Sequence, residues 1–141
     1  MFINLFLVIY LVLISIEDTK SLKIKNSVLL GMFLTCFCSS VPDFSESIFF
    51  NLLNSILFFC LFYFVSKFTK GLGSGDIKLI FIIAFFEGFF KTILCLLIAS
   101  MCGILFSVVI HLKNRDISKI PFAPFITLGF AAEELSFGLV L

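Results

Sequence analysis

The chain has 141 residues, 61% of them hydrophobic and only 13% charged, with 22 phenylalanines and a mean hydropathy of +1.23. An ordinary soluble domain carries about 25% charged residues, and one of this length cannot bury so much apolar surface, whereas a bilayer can cover it. The net charge of +1, with no basic patch interleaved with aromatics, leaves no footprint for nucleic acid and makes membrane lipid the expected surroundings.

Six apolar segments follow in order, at 2–17, 27–42, 47–66, 77–90, 92–112 and 122–140. Several are shorter than the roughly 20 residues of a spanning helix, so each is expected to extend into its polar flanks. The expected fold is all-α: one membrane-embedded domain over 1–141, a polytopic bundle of about six transmembrane helices. The first segment has no basic stretch before it and no small-residue cleavage site, and it reads as a retained helix instead of a cleaved signal. It ends in Glu17 and Asp18, followed by Lys20, Lys23 and Lys25. Between the third and fourth segments lies Gly71-Leu72-Gly73-Ser74-Gly75-Asp76-Ile77-Lys78. His111 closes the fifth, where a helix C-terminus favours it. Glu133 and Glu134 interrupt the sixth: either that helix ends near Ala132 with a surface tail beyond, the favoured expectation, or these acids face a polar interior.

Charge sets the orientation. If the helices alternate, Lys20, Lys23, Lys25, Lys67, Lys70, Lys78, Lys113, Arg115 and Lys119 share one side, nine of the ten basic residues. Asp43, Glu46, Glu87 and Lys91 fall on the other. An excess of lysine and arginine marks cytoplasmic loops, which places both chain ends outside a cytoplasmic (inner) membrane. Asp18 and Asp76 then meet the same cytosolic boundary.

A carboxylate near hydrocarbon is costly and is by default a functional candidate. Two at one depth can divide acid and base work, because their repulsion keeps one protonated while the other stays ionised. Asp76 also stands where a helix N-terminus favours negative charge, and Gly73 and Gly75 leave room for close backbone approach. The missing Gly-Lys-Ser/Thr excludes a phosphate-binding loop. Cys36, Cys38, Cys60, Cys95 and Cys102 lie in apolar runs without a CxxC pair, so no metal or cofactor is expected. The phenylalanines are expected to face lipid or to pack between helices.

Three segments carry a family resemblance. Asp18-Thr19-Lys20-Ser21-Leu22-Lys23-Ile24-Lys25-Asn26 resembles the first aspartate motif of the type IV prepilin peptidases, an Asp, five residues and Ile-Pro-Asn. Gly73-Ser74-Gly75-Asp76-Ile77-Lys78 is similar to that family's GxGDxK, and Ile120-Pro121-Phe122-Ala123-Pro124-Phe125 to its Pro-Phe-Gly-Pro-Phe segment. The resemblance implies a membrane aspartyl endopeptidase that removes the basic leader from type IV prepilins, pseudopilins or related precursors, preflagellins included, without cofactor. It implies Asp18 and Asp76 as the catalytic pair. Gly73, Gly75, Lys78, Pro121, Phe122, Pro124 and Phe125 are implied as substrate-binding residues.

Two positions depart from the pattern. Lys25 replaces the proline of Ile-Pro-Asn, which is expected to loosen the turn after Asp18. Ala123 replaces a glycine and is expected to narrow the groove. The chain reaches Asp18 after one helix, leaving no cysteine-rich methyltransferase insert, so peptidase activity alone is implied. Glu17 reads either as a solvated helix end or as a contact for a basic leader. The rival from another class is a small proton- or ion-coupled transporter using the same acids as a relay, which predicts acids spread through membrane depth.

Overall fold

The structure, a computed structural model, describes residues 2–40, 47–69, 72–112 and 121–138. Asp43, Glu46, Lys70, Lys113, Arg115 and Lys119, which enter the charge asymmetry, lie outside the described residues. Six helices and no strand occupy the described residues: α1 (Phe2–Ser21), α2 (Asn26–Ser40), α3 (Ser47–Thr69), α4 (Ser74–Glu87), α5 (Phe89–Leu112) and α6 (Ala123–Gly138).

Successive helices alternate in direction. α4 is the central one, packed against α2, α3 and α5, while α6 lies between α1 and α5. Most of the circumference of α4 is apolar and enclosed, with Ile77, Leu79, Ile80, Ile82, Ile83 and Ala84 buried, while Lys78 leaves the helix toward solvent. All but Ile77 join Leu7, Leu11 and Ile14 of α1, Met32 of α2, and Ile126 and Phe130 of α6 in one core. Small residues let α5 and α6 approach closely. A side chain at Gly129 would collide with the Cys95 carbonyl oxygen, so only glycine permits this packing.

Two turns shape the ends. α1 stops where Leu22 adopts φ 52° and donates its N–H to the Asp18 carbonyl at 2.8 Å, a helix closure usually left to glycine. That backbone costs a leucine about 1–2 kcal/mol. The Ser21 hydroxyl lies 3.0 Å from the Glu17 carbonyl and 2.9 Å from that of Lys23, and its one proton can serve either. Lys25 closes the same turn by an ion pair with Glu17 at 2.6 Å. Side chains therefore brace the turn where proline is missing. At the other end Gly88, at φ 78°, caps α4 and starts α5, and the Thr92 hydroxyl donates to its carbonyl at 2.6 Å.

α3, over Ile48–Phe68, and α5 are long and apolar enough to cross a membrane, and the protein itself covers only 11% of each span. Phe49, Phe64, Phe68 and Phe90 stand fully outward. α2, α4 and α6, with 15, 14 and 16 residues, rise about 21–24 Å, short of the roughly 30 Å of hydrocarbon. α1 has 20 residues, but its last turns carry Glu17, Asp18 and Lys20.

The expected end of the last helix is corrected. α6 continues past Ala132 to Gly138, with Glu133 only 1% exposed. Lys91 of α5 and Asn4 of α1 supply the partners that make the continuation affordable. Lys91 Nζ lies 3.7 Å from Glu133 and 3.0 Å from Glu134, and the Asn4 amide donates to Glu134 at 2.8 Å.

Candidate active site

Asp18 sits in the last turn of α1, 5% exposed, where few solvent contacts screen its charge. Its Oδ2 accepts the backbone N–H of Ala123 at 3.2 Å. That N–H opens α6 and has no carbonyl of its own helix to reach. The next residue, Pro124, has no N–H at all. The Phe122 carbonyl receives Phe125 and Ile126 at 3.1 and 3.2 Å, which starts the helix and aims Ala123 at the carboxylate. The N-terminal end of α6 thus faces the Asp18 carboxylate. Ala123 is fully buried, so the position that departs from the family glycine holds nothing larger.

Asp76 enters from α4. Gly73, extended at φ −71° and ψ 147°, caps that helix and places Asp76 at its third residue. A backbone hydrogen bond from Gly73 meets the Asp76 carboxylate, the reciprocal half of a capping box whose other half glycine cannot supply. A side chain at Gly73 would lie 3.1 Å from Asp76 Oδ2. A side chain at Gly75 would lie 2.9 Å from Cβ of Ile24, in the turn after Asp18. The two glycines therefore serve close contacts inside the protein: one frees the carboxylate, and the other lets α4 press against the α1–α2 turn.

Asp76 precedes the apolar run that starts at Ile77. Burial first, and then the charge of Asp18, push its carboxyl up to about 6, against the Gly73 hydrogen bond that favours ionisation. Asp18 and Asp76 are thus brought within electrostatic reach from α1 and α4, which have two other helices between them in the chain.

Of the other anticipated residues, Lys78 is exposed, and its ammonium donates to Asn26 Oδ1 at 2.8 Å. Both line a groove of about 650 Å³ whose remaining wall is apolar, including Leu29, Phe33, Phe81 and Ile82. Phe125 packs on Phe106 at 5.4 Å between ring centres and lies over Gly103, which puts it in the α5–α6 contact. Pro121, Phe122 and Pro124 are half-buried at the start of α6. Glu17 is engaged by Lys25.

A match to the type IV leader peptidase family covers residues 5–108, and with it about three quarters of the chain. The chain belongs to the type IV leader peptidase family. Membership makes it a peptidase, in a family that acts at membranes on pilin-like precursors. No curated protein and no solved structure matches it. The match includes both aspartates and stops before Pro121, so the tie of the last segment to the site is the hydrogen bond from Ala123 to Asp18.

A second polar cluster lies at the far end of the peptidase. Glu87, Glu133 and Glu134 each bring a carboxylate oxygen within 4.8 Å of the others, a donor type that suits hard cations. The Lys91 ammonium stands within ion-pair distance of all three, at 2.9, 3.7 and 3.0 Å. In sequence its members are 1 to 47 residues apart, and only Glu87 and Lys91 carry the i,i+4 spacing that announces a pair.

Proposed function

We propose that this family member is an aspartic endopeptidase that removes the leader from type IV prepilin-like, pseudopilin-like or preflagellin-like precursors at the cytosolic face of a cytoplasmic membrane that it crosses several times. The observation that carries the reading is the convergence of Asp18 and Asp76 beside the N-termini of α6 and α4. Asp76, raised to about 6 by burial and by Asp18, is the member proposed as proton donor, and Asp18, which accepts the Ala123 N–H, is proposed as the base.

Ionised Asp18 takes a proton from water as its oxygen attacks the scissile carbonyl, while protonated Asp76 donates to the carbonyl oxygen. Collapse of the tetrahedral intermediate returns a proton to the leaving amine. General acid–base work of this kind contributes about 10²–10⁴-fold. The exposed apolar groove next to Lys78 offers an apolar precursor helix a place beside the dyad.

The test is processing of a co-expressed precursor with a short basic leader followed by an apolar helix. Asp18→Asn and Asp76→Asn are each expected to stop leader removal while the protein still inserts. Normal processing by either variant ends the dyad reading.

A further inference from the structure

The turn between Asp18 and α2 touches the helix that carries Asp76 at two independent places. Ile24 lies so close to Gly75 that a side chain on the glycine would come within 2.9 Å of its Cβ. One helical turn away, Lys78 Nζ donates to Asn26 Oδ1 at 2.8 Å, across 52 residues of sequence. The first contact sits one residue before Asp76, and the second sits two residues after it. On the other strand of the contact, Ile24 and Asn26 follow Asp18 through a turn already stiffened by Ser21 and by the Glu17–Lys25 pair. The two carboxylates are therefore held at their spacing by contacts that bracket Asp76 along its helix.

We propose that Asn26 and Lys78 form a clamp that sets the separation of Asp18 and Asp76, which makes both of them positioning residues. The clamp rests on the dyad reading and deepens it by giving Lys78 a partner within the protein in place of substrate. Both side chains are exposed, so the hydrogen bond adds little to stability. Its effect lies in geometry, where about 1 Å of misplacement costs on the order of 100-fold in rate.

Cleavage of a purified precursor by the detergent-solubilised chain separates the possibilities. Asn26→Leu and Lys78→Met are each expected to lower kcat about 10- to 100-fold with KM within about 2-fold and the melting temperature unchanged. The double variant is expected to be no slower than either single one, because one interaction is lost only once. Asn26→Asp, which keeps an acceptor oxygen for the ammonium, is expected to recover most of the rate. A raised KM in Lys78→Met with Asn26→Leu fully active overturns the clamp and places the lysine on substrate. Multiplying losses in the double variant overturn it too. Full activity of Asp76→Asn in the same assay removes the dyad itself, whereas loss in Asp76→Asn with full activity in both clamp variants removes the clamp alone.

Discussion

At one end of the bundle two carboxylates, Asp18 and Asp76, face backbone N–H groups at the starts of α6 and α4, and among the described residues neither has an ammonium partner. At the other end three carboxylates, Glu87, Glu133 and Glu134, surround the ammonium of Lys91. Both ends bury acid, and the difference lies in what neutralises it. Backbone donors orient a carboxylate without fixing its proton, so the charge on Asp18 can still raise Asp76. A lysine gives its acids one shared ion-pair partner and ties α4, α5 and α6 together. One end is suited to moving protons and the other to holding helices. The buried positions of α4 between them, Ile77 to Ala84, are all apolar, so along this helix nothing relays protons from one end to the other. Acids at both depths were the mark expected of a transporter; that apolar stretch and the family match argue for the peptidase.

The comparison breaks first if catalysis tolerates loss of a dyad carboxylate. Asp18→Asn and Asp76→Asn are expected to cost about 10³-fold in cleavage rate, measured on purified precursor. Gly75→Ala comes next, at about 10–100-fold, because its new methyl meets Ile24 and pushes α4 from the turn. Ile24→Gly in the same chain, which removes the Cβ that the methyl meets, is expected to regain much of that rate, and no recovery means that Gly75 acts on something other than Ile24.

At the far end the expected loss is stability. Lys91→Met leaves three acids without their shared ammonium and is expected to cost about 3 kcal/mol by thermal or denaturant unfolding, with kcat of the folded fraction unchanged. A fall in kcat with unchanged stability joins the two ends functionally and dissolves the distinction.

The smallest effect is in pH dependence. Asp76 has its carboxyl raised in the folded state, from an ordinary value near 3.8 to about 6. The native state therefore binds this proton more tightly than the unfolded chain does. Stability is lost as pH rises between those values. Asp76→Asn removes this loss, so the variant is expected to melt a few degrees above the parent at pH 7 and level with it at pH 4. Equal melting at both values means that Asp76 is not raised.

Much of the dyad end was legible because its signals are local. Asp18 beside lysines, and Asp76 among glycines, stand out against apolar runs, and alternating helices bring both to one boundary. The roles of the glycines were less legible. Spacing points to close approach at Gly73 and Gly75, but only packing identifies the neighbours as Asp76 and Ile24. Phe125 reads as groove lining in its motif, and its packing between α5 and α6 is visible only in the structure.

Glu133 and Glu134 show the limit from the other side. Two acids in an apolar run read as a helix end, because the cost of burial is visible in sequence and the compensation is not. Lys91 and Asn4 lie 42 and 130 residues away from Glu133 and Glu134 respectively, counting each pair along the chain. By itself the sequence determined an apolar helical protein, the end at which its two aspartates lie and the family motifs around them, since composition, charge placement and spacing are properties of the chain. Tertiary structure alone decided which backbone N–H faces Asp18, what the glycines make room for and where the far acids find their cation. Those depend on distances between helices that no local pattern encodes.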